Sequence, residues 1–349
     1  MGRLTRREAL ISGTASAGML LGASCSSREP KKEAAKQPLY RSPGRNENLV
    51  HDLTPGATPI RLACFDLRLD YPEQGSITEM VKRIRDAGYT SATTHTSIGK
   101  RNPWFVAGDS AIAELKEALD RYDVTVFDVM VWTNLIHPDI ATRQKNLKYV
   151  AENIEAAERI GSPMVTMVTG SCDPDYYIAA HPDNWSDATW KLTIRSVRQL
   201  LDDTAGMKAA LGIEAVVTTN IDSPAAHKRL MDDIGDPRVC VCLDPTNMLS
   251  LTTFYHTTEL LNECFDTLGE AILGCHGKDD IIERDRMLLH ITEVPAGQGT
   301  MDYETYLVRM SRMKWPRTLL IEHIGPEDYP AAKSFIEETA KKVGVTIFG

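Results

Sequence analysis

Beyond residue 58 the chain alternates two patterns. Short apolar runs of strand length are followed by longer stretches whose apolar residues recur every three to four positions. The runs predict strands over Ile60–Phe65, Tyr89–Thr94, Val124–Val131, Met164–Val168, Ile213–Val217, Arg238–Leu243, Ala271–Cys275 and Thr318–Ile321. The helical period predicts helices over Ile77–Ala87, Asp109–Tyr122, Asp139–Ile160, Ser186–Leu211, a stretch opening at Ser223-Pro224, Thr257–Leu268, Tyr303–Met313 and Tyr329–Val343. Gly88 and Gly161 suit helix ends, Asp109 and Ser223 suit helix starts, and Pro224 suits a first turn. Eight strand-helix pairs in about 290 residues is the size of an α/β fold of the (β/α)8 TIM barrel type. An open doubly wound sheet would need a glycine-rich phosphate turn after the first strand, and Asp66-Leu67-Arg68-Leu69 offers none.

In such barrels ligands bind at the carboxyl ends of the strands. The strand Arg238–Leu243 runs into Asp244-Pro245-Thr246-Asn247, the next into His276-Gly277-Lys278-Asp279, and the last into Glu322-His323. An Asp, a His and a Glu from three strand ends make an oxygen and nitrogen ligand set for one divalent metal: Mn, Mg, Zn or Fe. Each residue also has a structural reading. Asp244 suits an Asx turn, His276 a packed barrel-end histidine, and Glu322 an ion pair with Lys278. Met248, Met287, Met301, Met310 and Met313 read as core filling.

A net charge of -9 argues against a nucleic-acid partner and leaves small molecules as the expected ligands. The amino terminus is set apart from the fold. Residues 1–25 carry Arg6-Arg7 ahead of a short apolar run, the pattern of a twin-arginine export signal, and Leu20 to Cys25 resembles a lipoprotein processing site. Residues 26–58 are rich in Lys, Arg, Pro, Ser and Glu and read as a tether, leaving 59–349 for the barrel. The expected address is therefore exported, periplasmic or lipid-anchored through Cys25, with the anchor as the only membrane contact. Six further cysteines show no C-x-x-C spacing and read as small buried residues.

Several ordered segments together resemble the xylose-isomerase-like TIM barrels, the sugar phosphate isomerase/epimerase superfamily. They are Asn134-Leu135-Ile136-His137-Pro138-Asp139, Gly161-Ser162-Pro163-Met164-Val165 into Thr169-Gly170, and Gly235-Asp236-Pro237-Arg238 into Leu243-Asp244-Pro245-Thr246-Asn247. His276-Gly277-Lys278-Asp279, Pro295-Ala296-Gly297-Gln298-Gly299 and Leu320-Ile321-Glu322 complete the series. The resemblance implies one divalent metal held by Glu, Asp, His and Glu from strands five to eight. The last three carry over to Asp244, His276 and Glu322. At strand five the chain offers Thr218-Thr219-Asn220, and Glu214 falls at the opposite end of the predicted strand, so the fourth carboxylate is expected to be missing.

The implied chemistry is proton abstraction next to the carbonyl of a sugar or keto-sugar, ending in isomerisation or β-elimination, with Glu322, Lys278 and His137 as the catalytic groups. Asn247, Thr218, Asn220, Trp132 and Asp279 are candidate substrate contacts, and Trp104 and His95 also lie near strand ends. An exported sugar-binding protein or pseudoenzyme that lost the strand-five ligand is the alternative. An abasic-site endonuclease of the related barrels would need more ligands and a basic groove. The expected partner is a small carbohydrate, and pairing of the barrel with itself stays open.

Overall fold

The computed structural model describes residues 52–64, 76–96 and 109–348. Its strands are β1 (Ile60–Cys64), β2 (Ser91–Thr96), β3 (Thr125–Val131), β4 (Met164–Met167), β5 (Ala210–Glu214), β6 (Val239–Leu243), β7 (Ile272–Gly277), β8 (Asp279–Ile282), β9 (Ile291–Val294), β10 (Arg317–Ile321) and β11 (Ile347–Phe348). Its helices are α1 (Ile77–Asp86), α2 (Asp109–Tyr122), α3 (Ile140–Ile160), α4 (Asp187–Asp203), α5 (Pro224–Ile234), α6 (Thr257–Leu268), α7 (Tyr303–Ser311) and α8 (Tyr329–Val343). Strands β1 to β7 and β10 are parallel neighbours in sequence order, and β10 pairs back onto β1 to close the barrel. This is the expected (β/α)8 architecture. The departure from a plain barrel is an antiparallel hairpin, β8 with β9, inserted after β7.

Helix ends follow local chemistry. Ser76 and Glu79 form a reciprocal capping box on α1, Asp139 accepts the Thr142 N–H at the start of α3, and Gly161 closes that helix at φ +77. One predicted boundary is wrong in a way that matters. Helix α4 ends at Asp203 instead of running to Leu211. Thr204 turns its N–H and hydroxyl back on the Leu200 carbonyl, and the Arg238 guanidinium donates to the Leu201 and Thr204 carbonyls. Those bonds satisfy carbonyls that the helix would otherwise have used by continuing. The chain therefore enters the sheet at Ala210, and strand five is Ala210–Glu214, not Ile213–Val217. Its register against β6 sets Leu211 opposite Val239 and Glu214 opposite Cys242.

Phe127, Met164 and Cys240 come together in the buried core, with the Cys240 Sγ 3.7 Å from the Met164 Sδ. Two glycines make the room: a Cβ on Gly212 would overlap the Met164 thioether, and one on Gly274 would sit 2.9 Å from the Phe127 ring. Phe127 is the extra residue of a bulge, because Ala92 faces Val126 whereas Thr93 faces Asp128.

Of the six described cysteines, all but Cys172 are buried, as expected of small core residues. Met248, Met301, Met310 and Met313 are buried as expected, but Met287 is fully exposed, because it lies in the turn of the β8–β9 hairpin rather than under a helix. No helix among the described residues is long and apolar enough to cross a membrane. The segment 1–25 with Cys25, most of 26–58, Trp104 and the His95 side chain lie outside the described residues.

Candidate active site

Side chains alternate along a strand, so residues two apart share a face. Two positions beyond Gly212, Cys242 and Gly274 come Glu214, Asp244 and His276. The strand β10 runs into Glu322. All four are buried. The His276 Nδ1 lies 3.0 Å from a Glu322 oxygen, 3.4 Å from a Glu214 oxygen and 3.5 Å from an Asp244 oxygen. Since β10, β7, β6 and β5 are successive neighbours, the four groups form an arc with the two glutamates at its ends.

The acid at strand five is therefore present. Glu214 stands at the carboxyl end of the observed strand, and the expectation of a missing fourth carboxylate is overturned. Thr218 and Asn220, placed at that position in the sequence reading, fall in the loop beyond. The ground for a pseudoenzyme reading, a lost strand-five ligand, goes with that correction.

The polar atoms of the arc fit a cation. Oε2 of Glu214, Nδ1 of His276 and Oε2 of Glu322 are buried without a hydrogen-bond partner, and Oδ2 of Asp244, equally buried, is met by the Lys278 ammonium. Such orphans are costly unless something absent completes them. Ligand atoms of Glu214, Asp244 and His276 lie within 4.8 Å of one another. Three carboxylates and one imidazole suit Mg, Mn, Zn or Fe. Supporting contacts aim them. Asn247 donates from its amide to Glu214 Oε1, Thr246 donates twice to Asp244 Oδ1, and the second His276 nitrogen lies 3.1 Å from the Cys242 Sγ. That last contact leaves Nδ1 free for the arc.

Lys278 closes over the arc from two residues beyond His276. Its Nζ is 2.7 Å from Asp244, 3.3 Å from Glu322, 3.3 Å from Glu293 and 3.1 Å from the Asn247 amide oxygen. Burial opposes charge throughout, yet both bases are held well above their ordinary values: His276 by the Cys242 sulfur and then Glu322 and Glu214, Lys278 by Asp244, Glu322 and Glu293. Burial likewise pushes Asp244 and Glu322 up, but Lys278 and His276 outweigh it; Asp244 is held well below the usual carboxylate range and Glu322 at about 2. For Glu214 burial prevails over the pull of His276, and its carboxyl is pushed up to about 8. The two ends of the arc differ in charge tendency.

The structure thus brings Asp244, His276, Glu322 and Lys278 together, with Asn247 behind Glu214. The other candidates do different work. Asp279 is buried and accepts the backbone N–H groups of Asp280, Gly297, Gly299 and Met301, pinning the loop that leads into α7. His137 sets Nε2 3.1 Å from the Pro174 carbonyl in the loop after β4 and accepts the Asp139 N–H at Nδ1, so one nitrogen braces the neighbouring loop and the other its own. Thr218 donates its hydroxyl to the Ile178 carbonyl, and Asn220 is buried between Thr169 and Thr193. Trp132 follows β3 directly and stacks on Tyr177.

The sequence alone does not assign three residues to the site: it sets Glu214 at the far end of strand five, gives His323 no role beside Glu322 and does not single out Glu293. Glu214 had a signal, its shared parity with Gly212, masked by the helix boundary. Glu293 reaches Lys278 and His323 only because the hairpin folds it back. His323 sits at φ +58, a left-handed backbone that no local pattern announces.

A family model described as xylose isomerase-like TIM barrel matches residues 81–340. No curated protein matches the chain. Among solved structures, a xylose isomerase-like TIM barrel protein from Mycobacterium smegmatis in complex with magnesium is 15% identical, with a TM-score of 0.59 over 82% of this chain and 99% of that one. A 3-keto-D-glucoside 4-epimerase from E. coli is 14% identical, at 0.57 over 80% and 99%. The probable 3-DHS dehydratase from Bacillus anthracis is 12% identical, at 0.62 over 80% and 98%. Identities this low carry the fold.

Proposed function

Because this chain belongs to the xylose isomerase-like TIM barrel family, we propose that it is a divalent-metal-dependent carbohydrate isomerase, epimerase or lyase that moves a proton next to a ketone of a sugar. The observation that carries the proposal is the arc of Glu214, Asp244, His276 and Glu322, whose buried carboxylate oxygens converge on the His276 Nδ1 at one end of the barrel. These four residues would hold the cation. When bound, it supplies positive charge to the oxyanion that develops as the proton leaves.

The chain's own groups divide the remaining work. Glu322 takes the proton. Lys278, fixed between Asp244 and Glu322, donates a hydrogen bond to a substrate oxygen. Glu214, which burial keeps inclined to hold a proton at the other end of the arc, delivers that proton to the opposite face of the same carbon, which yields an epimer. Return from Glu322 to the adjoining carbon, with a proton passed between the two oxygens, yields an isomer, and departure of a hydroxyl or alkoxide from the β carbon, leaving as water or alcohol, yields elimination. The similar folds of an epimerase and a dehydratase support this range.

The test is solvent exchange. Metal-loaded protein incubated with ketohexoses and 3-keto-glucosides in D2O should place deuterium next to the ketone, read by NMR. Glu322→Gln should slow exchange by about 10²–10⁴-fold. A metal-loaded protein that exchanges none of these sugars would sink the proposal. The proposal extends to an exported protein anchored at Cys25, on the strength of Arg6-Arg7 and the run to Cys25; Cys25→Ala should move it from the membrane to the soluble envelope fraction.

A further inference from the structure

The loop between β4 and α4 carries two adjacent tyrosines at the same end of the barrel as the arc. Tyr177 stacks on Trp132, ring centroids 6.4 Å apart and planes within 24°. Tyr176 packs against Tyr177 at 5.0 Å yet stays 54% exposed. Trp132 directly follows β3, so the stacked pair lies at the carboxyl ends of the strands, the end of the barrel that carries the arc.

The loop is held from beneath by polar groups rather than by burial of its rings. One Asp173 oxygen accepts the N–H groups of Asp175 and Tyr176. His137 meets the Pro174 carbonyl, Thr218 donates to the Ile178 carbonyl, and buried Asn184 donates to the carbonyls of Ala179 and Thr218. Braces from β3, β4 and β5 loops thus fix the position of an exposed tyrosine. Holding an apolar ring in water has no folding benefit. It does lower the entropy that a ligand would otherwise lose on stacking there.

We propose that Trp132, Tyr176 and Tyr177 form a stacking wall for a second ring, so that the substrate is a glycoside or the end of an oligosaccharide rather than a free monosaccharide. The proposal rests on the reading of the arc as a carbohydrate site. The reacting ring occupies the arc, and the attached ring lays its C–H face against the tyrosines. Aromatic side chains present an apolar face with a polar edge, which matches a sugar ring.

The experiment is calorimetric titration of manganese-loaded protein with fructose, tagatose and 3-keto-glucose and with disaccharides that carry each of these as one ring. At least one disaccharide should bind about tenfold tighter than its monosaccharide, a gap of about 1.4 kcal/mol. Tyr176→Ala should erase that ratio and Tyr176→Phe should keep it, both at unchanged metal stoichiometry. Equal affinities for one and two rings in the parent protein, or a ratio unmoved in Tyr176→Ala, overturns the wall and leaves the carbohydrate site standing. Metal-loaded protein that binds none of the sugars overturns both.

Discussion

Two buried histidines meet opposite fates in this barrel. His276, on β7 inside the barrel, is buried, which works against its charge, but the Cys242 sulfur and then Glu322, Glu214 and Asp244 hold it well above the ordinary histidine value. His227, on α5 where that helix covers β5 from outside, is also fully buried; burial pushes it down to about 4, with only a backbone hydrogen bond at Ile213 in opposition. Burial is therefore not what marks a functional histidine. Convergent charge is. The same contrast separates Gly212 and Gly274, which make room for Met164 and Phe127, from Glu214 and His276 on the next inward positions. Two residues along a strand divide packing from chemistry.

The contrast can be broken most forcefully at Lys278. Lys278→Met leaves Asp244 and Glu322 with one cation fewer in a dry site, and the metal-free protein should lose about 3–5 kcal/mol in urea denaturation. Added manganese should restore much of that loss; equal destabilisation with and without metal would mean that the arc does not hold the ion. The next effect concerns His227. Its folded value lies below the unfolded one, so the unfolded chain binds the extra proton between pH 6.5 and about 4. That contribution is present above pH 6.5 and is lost as pH falls, by about 3 kcal/mol at the acid end. His227→Leu should flatten this part of the Tm–pH curve, and an unchanged slope would show that His227 is not held neutral.

Metal removal sharpens the other side. At a free metal concentration of about 100 Kd the folded state should gain about 2.7 kcal/mol, which EDTA abolishes and which Asp244→Asn should greatly reduce. A thermal melt with and without chelator reads it. The smallest effect belongs to the packed layer. Gly212→Ala drives a Cβ into the Met164 thioether and should cost about 1–3 kcal/mol, with Met164→Ala as a second change that relieves it.

The sequence made much of this legible, and where it failed the failure has a location. Strand-helix alternation exposed the barrel, since both periods are local and repeat eight times. Asp244, His276 and Glu322 were readable because each follows an apolar run. Glu214 was hidden by a helix end that depends on Arg238, thirty-four residues beyond Thr204, closing the last carbonyls. His137 and Thr218, legible as polar residues near strand ends, turned out to brace a loop whose course no local pattern predicts.

What the sequence by itself determined is the order of strands and helices and the residue types at three strand ends, because propensity and side-chain parity act over a few neighbours. What only the tertiary structure decided is the register of β5, the return of Glu293 over Lys278, and the stacking of Tyr177 on Trp132. Each of these joins positions far apart in the chain. Their energies come from hydrogen bonds, charges and ring contacts that exist only after the barrel has closed.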